Sequence, residues 1–66
     1  MSKFFKFKDG NTVRFWRYDA INWMRVQDFH ETLGYYSIVT NIGEVSFWDF
    51  EEFQRAYKKL EKELNK

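Results

Sequence analysis

The sequence has no cysteine, no proline, one histidine and only three glycines. Without cysteine there is neither a disulfide nor a thiolate ligand for zinc. His30 has Asp28 and Glu31 close by, but three candidate ligands this near in sequence rarely close a coordination shell, and there is no second histidine. No metal and no cofactor is expected. Gly10, Gly34 and Gly43 stand singly, so no glycine-rich loop can cradle a phosphate. Ser2, Ser37 and Ser46 lie in no nucleophile motif, and any of them would need the same lone His30 as its base. Glu51 and Glu52 are adjacent carboxylates, but they open a predicted helix, where the helix dipole accounts for them. These absences argue against an enzyme. No apolar run is long enough to cross a bilayer, and no export signal or lipidation motif is present. Starting at Met1, the chain reads as a whole cytoplasmic protein. A formal charge of +1 is too small for a ligand such as duplex DNA held by charge alone.

Aromatic rings are abundant instead: eight Phe, four Tyr and three Trp among 66 residues. A chain this short forms one domain, residues 1–66. Ordering it costs on the order of 100 kcal/mol, at roughly 1.5 kcal/mol per residue. Each buried aromatic removes about 150–250 Å² from water, so rings replace the disulfides or metal that small domains often use. A homodimer is the other way to enlarge so small a core.

The clearest element is FWDFEEFQRAYKKLEKEL. Phe50, Phe53, Tyr57, Leu60 and Leu64 recur at steps of three and four, which predicts a helix over 49–64 with one apolar stripe. Asp49 is placed to cap it, with Glu52 completing a capping box and Trp48 stapling onto Phe53. Such a helix is marginal alone and needs a sheet to cover its stripe. The preceding chain supplies one. Period-two alternation predicts strands at about 3–8, 12–18, 21–27, 35–40 and 45–47. Asp9, Gly10 and Asn11 form the first turn, Asp19 and Ala20 a break, residues 28–34 a loop or single helical turn, and residues 41–44 another turn. The fold class is therefore α+β: a small antiparallel β-meander of four to five strands with one C-terminal helix packed on one face.

One helix covers one face, yet apolar residues occur at both parities. If Phe5, Phe7, Val13 and Phe15 meet the helix, Trp16 and Tyr18 point away. The same alternation sets Trp23 against Met24 and Val26, and Tyr35 against Tyr36 and Ile38. An aromatic second face is thus expected, and Trp, Tyr and Arg are the residues that dominate interfaces. The candidate partner-binding set is Arg14, Trp16, Tyr18, Trp23, Tyr35 and Tyr36. The expected function is that of a small non-enzymatic interaction protein, binding a protein partner or a second copy of itself. By analogy, stand-alone proteins of this kind are often phage or mobile-element products that modulate a host protein. The alternative is a single-stranded nucleic-acid binder. In that reading Phe5, Phe7, Phe15 and Trp16 stack on bases, and Lys6, Lys8, Arg14 and Arg17 contact phosphates.

Overall fold

Alternation of large apolar and charged residues draws the first part of the chain into strands, and the computed structural model describes residues 3–65 of it. β1 (Phe4–Asp9) and β2 (Thr12–Arg17) form an antiparallel hairpin, closed by the two-residue turn at Gly10 and Asn11. Gly10 sits at φ 63°, which a residue without a Cβ adopts at no steric cost. The chain then makes a short 3-10 turn at Tyr18–Ala20 and leaves the sheet. β3 (Met24–Phe29), β4 (Tyr35–Thr40) and β5 (Gly43–Phe47) form a second antiparallel sheet in the order β3-β4-β5. The helix α1 (Phe50–Leu64) follows directly and packs on β4, β5 and the 3-10 turn. The architecture is α+β, as the sequence predicts, with five strands divided between two sheets.

The division has a local cause. Residues 21–23, assigned to a third strand by their apolar character, are not strand; β3 begins only at Met24. Ile21 instead points into the core at 6% exposure. Asn41, in the β4–β5 turn, accepts the Asn22 amide on its side-chain oxygen (2.7 Å) and donates to the Ala20 carbonyl (3.0 Å). These two bonds satisfy backbone that a strand ladder would otherwise have paired.

The core lies between the hairpin, the three-stranded sheet and the helix. It contains Phe5, Phe7, Trp16, Ile21, Ile38, Val45, Phe53, Ala56 and Leu60, with Tyr18, Met24, Tyr36, Phe47, Tyr57 and Leu64 partly buried around it. The helical stripe is therefore centred on Phe53, Ala56 and Leu60, while Phe50 at its start stays half exposed. Asp49 occupies the N-cap position, but its carboxylate makes no capping hydrogen bond; the helix opens with the Phe53 amide donating to the Asp49 carbonyl at 3.0 Å. Trp48 does not staple onto Phe53. Its ring leans on Tyr35, 5.4 Å between centroids, on the side of the sheet away from the helix. Burial of the helical stripe, rather than capping by Asp49, holds the helix start.

The hairpin register corrects the expected division of faces. Phe5 lies opposite Trp16 and Phe7 opposite Arg14, so Trp16 shares the inner face with both phenylalanines. Val13 and Phe15 face outward, opposite Lys8 and Lys6. Trp16 packs edge-on against Phe7 (4.6 Å) and tilted against Phe5 (6.0 Å). It also reaches the second sheet at Gly43, where a Cβ would lie 3.2 Å from the indole Cζ2. Gly43 has φ 155°, so both its conformation and the indole beside it call for glycine.

Candidate functional site

The alternating ladder places Phe4, Lys6 and Lys8 of β1 beside Arg17, Phe15 and Val13 of β2 on one side of the hairpin. All six are exposed. Phe15 is 59% exposed, Phe4 45% and Val13 43%, and the Phe4 and Phe15 rings meet edge to face at 6.4 Å. Two lysines border this apolar strip. The third cation, Arg17, is held by Asp19 through two hydrogen bonds, 3.0 Å from Nε and 2.7 Å from Nη2. That pairing raises the Arg17 pKa and lowers that of Asp19, the side-chain hydrogen bond being the main cause for both. The outer hairpin face is an apolar centre with a basic border, and no carboxylate projects from its six positions.

The candidate partner-binding residues do not come together. Trp16 is 5% exposed and belongs to the core. Tyr18 begins the 3-10 turn half-buried, and desolvation is the main cause of its raised pKa. Tyr36 faces the helix, sandwiched between Phe53 (4.9 Å, 16°) and His30 (5.3 Å, 12°). Tyr35 projects from the opposite face, packed between Phe29 (5.3 Å) and Trp48 (5.4 Å). Trp23 is half exposed, with the Arg25 guanidinium 5.8 Å from its ring. Arg14 lies at the hairpin end, 5.9 Å from the Phe7 ring and 3.2 Å from the Asp9 carboxylate.

The alternative nucleic-acid set is split in the same way. Phe5, Phe7 and Trp16 are enclosed, whereas Lys6, Lys8, Phe15 and Arg17 share the outer face. Arg14 is on the other side of the ladder, opposite Phe7. Sequence reasoning missed Phe4 and Val13 as members of the exposed strip. The signal was available in the parity of β1, since Phe4 is in phase with Lys6 and Lys8.

Asp28, near the end of β3, and His30, at the start of the β3–β4 connection, interact with each other. Asp28 Oδ1 lies 2.7 Å from His30 Nδ1 and also accepts the His30 amide at 3.1 Å. Among the described residues no group of three carboxylates or histidines is placed to hold a metal ion. The Ser37 hydroxyl, fully buried, donates to Glu44. Among the described residues no helix is long and apolar enough to cross a membrane. Compared with protein-family models, curated proteins and solved structures, the chain finds no match.

Proposed function

We propose that this chain is a small non-catalytic interaction protein, and that its contact surface is the outer face of the β1–β2 hairpin. The observation that carries the reading is the shared exposure of Phe4, Val13 and Phe15 on one face. Phenylalanines on a short ribbon have little reason to stand in water together unless something covers them. Aromatic anchors surrounded by polar groups also match the anatomy of protein interfaces. Among the other exposed rings, Trp23 stands beside Arg25, Trp48 against Tyr35, and Phe50 against Tyr36 and Phe53, each away from this face.

The occupant we favour is a different protein, with an apolar patch bordered by carboxylates. A two-fold self-pairing brings each surface against its own copy. Here both copies would bring Lys6 and Lys8 to the contact, and neither would bring a carboxylate from the six positions of the face to offset them. An acidic border removes the conflict and speeds encounter.

The test starts from photo-crosslinking at position 15, identification of the adduct, and titration of the purified partner. Phe15→Glu is expected to weaken that binding at least tenfold, about 1.4 kcal/mol, while the thermal midpoint stays unchanged. An adduct of the chain with itself, matched by a dimer in sedimentation, assigns the face to self-association. Retardation of mixed single-stranded oligonucleotides at low salt, lost in Phe15→Glu, assigns it to nucleic acid.

A further inference from the structure

We infer that β3 is a self-pairing edge, along which two copies of the chain join about a two-fold axis through Val26 into one continuous antiparallel sheet. β3 ends its sheet, with β4 on one side and, among the described residues, no strand on the other. The helix packs over β4 and β5 and leaves this edge open. Arg25, Val26 and Asp28 are exposed. Val26 is 41% exposed even though it lies opposite the fully buried Ile38.

The turn after β3 identifies the backbone groups on offer. The Gly34 amide donates to the Phe29 carbonyl at 3.0 Å, and Gly34 sits at φ 80°. A left-handed glycine bonded in this way just before Tyr35 is a bulge that closes the hairpin on a bonded pair, here Phe29 with Tyr35. Bonded pairs recur at every second residue, so Phe29, Gln27 and Arg25 are the residues bonded to β4. The N–H and C=O groups of Met24, Val26 and Asp28 therefore point away from β4. Groups arranged like this recruit an added strand.

Charge and register select a second copy as the occupant. β1 and β2 are both net positive, from Lys6, Lys8 and Asp9 and from Arg14 and Arg17, so either set against its own copy is repelled. β5 faces residues 5–10 across a cleft. β3 holds one cation, Arg25, and one anion, Asp28, with no lysine and no proline. A two-fold axis normal to the sheet sets residues of equal parity opposite each other. Centred on Arg25 or Asp28, it sets that charge against itself. Centred on Gln27, it sends Trp23 to Glu31, beyond the strand. Centred on Val26, it pairs every outward residue: Val26 with Val26, and Met24 with Asp28, whose carboxylate His30 already holds. On the other face Arg25 then meets Gln27, whose side-chain oxygen can accept from the guanidinium, and Trp23 meets Phe29. Trp23 lies on that face, since its ring stands beside the Arg25 guanidinium. Phe29 leans on Tyr35 (5.3 Å) and Tyr35 on Trp48 (5.4 Å). Trp23 of the second copy, 47% exposed in the single chain, extends this row of rings. One surface thus supplies both the ring and its seat. The contact is separate from the outer hairpin face.

The test uses the full chain in solution. Sedimentation equilibrium is expected to give a monomer–dimer equilibrium with a Kd below about 1 mM. As concentration rises, the amides of Met24, Val26 and Asp28 should become protected from exchange. Val26→Lys sets two lysines against each other across the axis and should raise the Kd at least tenfold. Trp23→Ala should do the same. Both positions are exposed, so the thermal midpoint of the diluted monomer should hold. The sequence has no cysteine, so cross-linking reads the register directly. Under mild oxidation Val26→Cys should form a disulfide-linked dimer at least tenfold faster than Phe15→Cys. Phe15→Glu should leave the dimer Kd unchanged, so failure here is distinguishable from failure of the hairpin-face reading. A chain that stays monomeric at about 1 mM overturns the inference. So does a dimer that Val26→Lys does not weaken, or Phe15→Cys cross-linking as fast as Val26→Cys.

Discussion

Trp16 shows how one residue can be correctly singled out and its role misplaced. It is the largest side chain in the core and the one that spans both sheets, from Phe5 and Phe7 to Gly43. Its indole Nε1 is buried with no hydrogen-bond partner, a cost of about 1–3 kcal/mol that its packing must exceed. Trp16→Ala should therefore destabilise the protein by about 3–5 kcal/mol through cavity formation. That is much of what so small a domain possesses. Trp16→Phe should cost much less, because it removes the orphaned donor along with part of the ring. Phe15→Ala, one residue away but 59% exposed, should stay within about 0.5 kcal/mol of the parent. Urea unfolding midpoints of the three variants provide the check. A Trp16→Ala protein as stable as Phe15→Ala would contradict the packing described above.

At the level of elements, most of the order was legible in the sequence: the hairpin, β4, β5 and the helix lie close to where periodicity puts them, whereas β3 runs Met24–Phe29 rather than 21–27. The faces of the hairpin were not, because they depend on loop length. A three-residue turn at Asp9, Gly10 and Asn11 pairs Phe5 with Phe15 and Phe7 with Val13. The actual two-residue turn adds Asp9 to β1, opposite Thr12, and pairs Phe5 with Trp16. One residue of slip exchanges inner and outer faces, and either turn accepts the same Gly10. The loss of strand at 21–23 was hidden for a different reason. It depends on Asn41, about twenty residues away in sequence, and no local pattern carries that information.

The β3–β4 connection, where Phe29 accepts the amides of Leu33 and Gly34, adds a dependence on pH. The hydrogen bond from His30 holds Asp28 below the usual 3.8, and Asp28 in turn lifts His30 above 6.5. The lowered carboxylate contributes stability above its ordinary pKa and loses it as pH falls through the folded value. The raised imidazole contributes below 6.5 and loses it as pH rises through the folded value. The pair therefore supports this turn between the two folded values, and less so at high salt, since both side chains are about half exposed. An NMR titration of the His30 ring should give a midpoint above 6.5 in the parent, and one returned toward 6.5 in Asp28→Asn. Equal midpoints would remove the pairing.

The molecule as a whole consists of a ribbon and a three-stranded sheet that share no ladder, yet a chain of this size has room for only one core. Trp16 supplies the apolar link between them and Asn41 the polar one. Its amide bonds both the Asn22 N–H and the Ala20 carbonyl, fastening the crossing segment to the β4–β5 turn. Net contributions of about 0.5–1.5 kcal/mol per hydrogen bond put the clamp at about 1–3 kcal/mol. That energy acts on the segment joining the two sheets, so its loss should be local before it is global. In Asn41→Ala, amide exchange in the hairpin and at residues 18–22 should accelerate more than exchange in β4 and α1. Asn41→Asp keeps an acceptor for the Asn22 amide but loses the donor to Ala20, and should fall between. Uniform acceleration across all elements would mean that the hairpin opens only with the rest of the molecule. In that case the aromatic core alone, not the Asn41 clamp, makes the two sheets one cooperative unit.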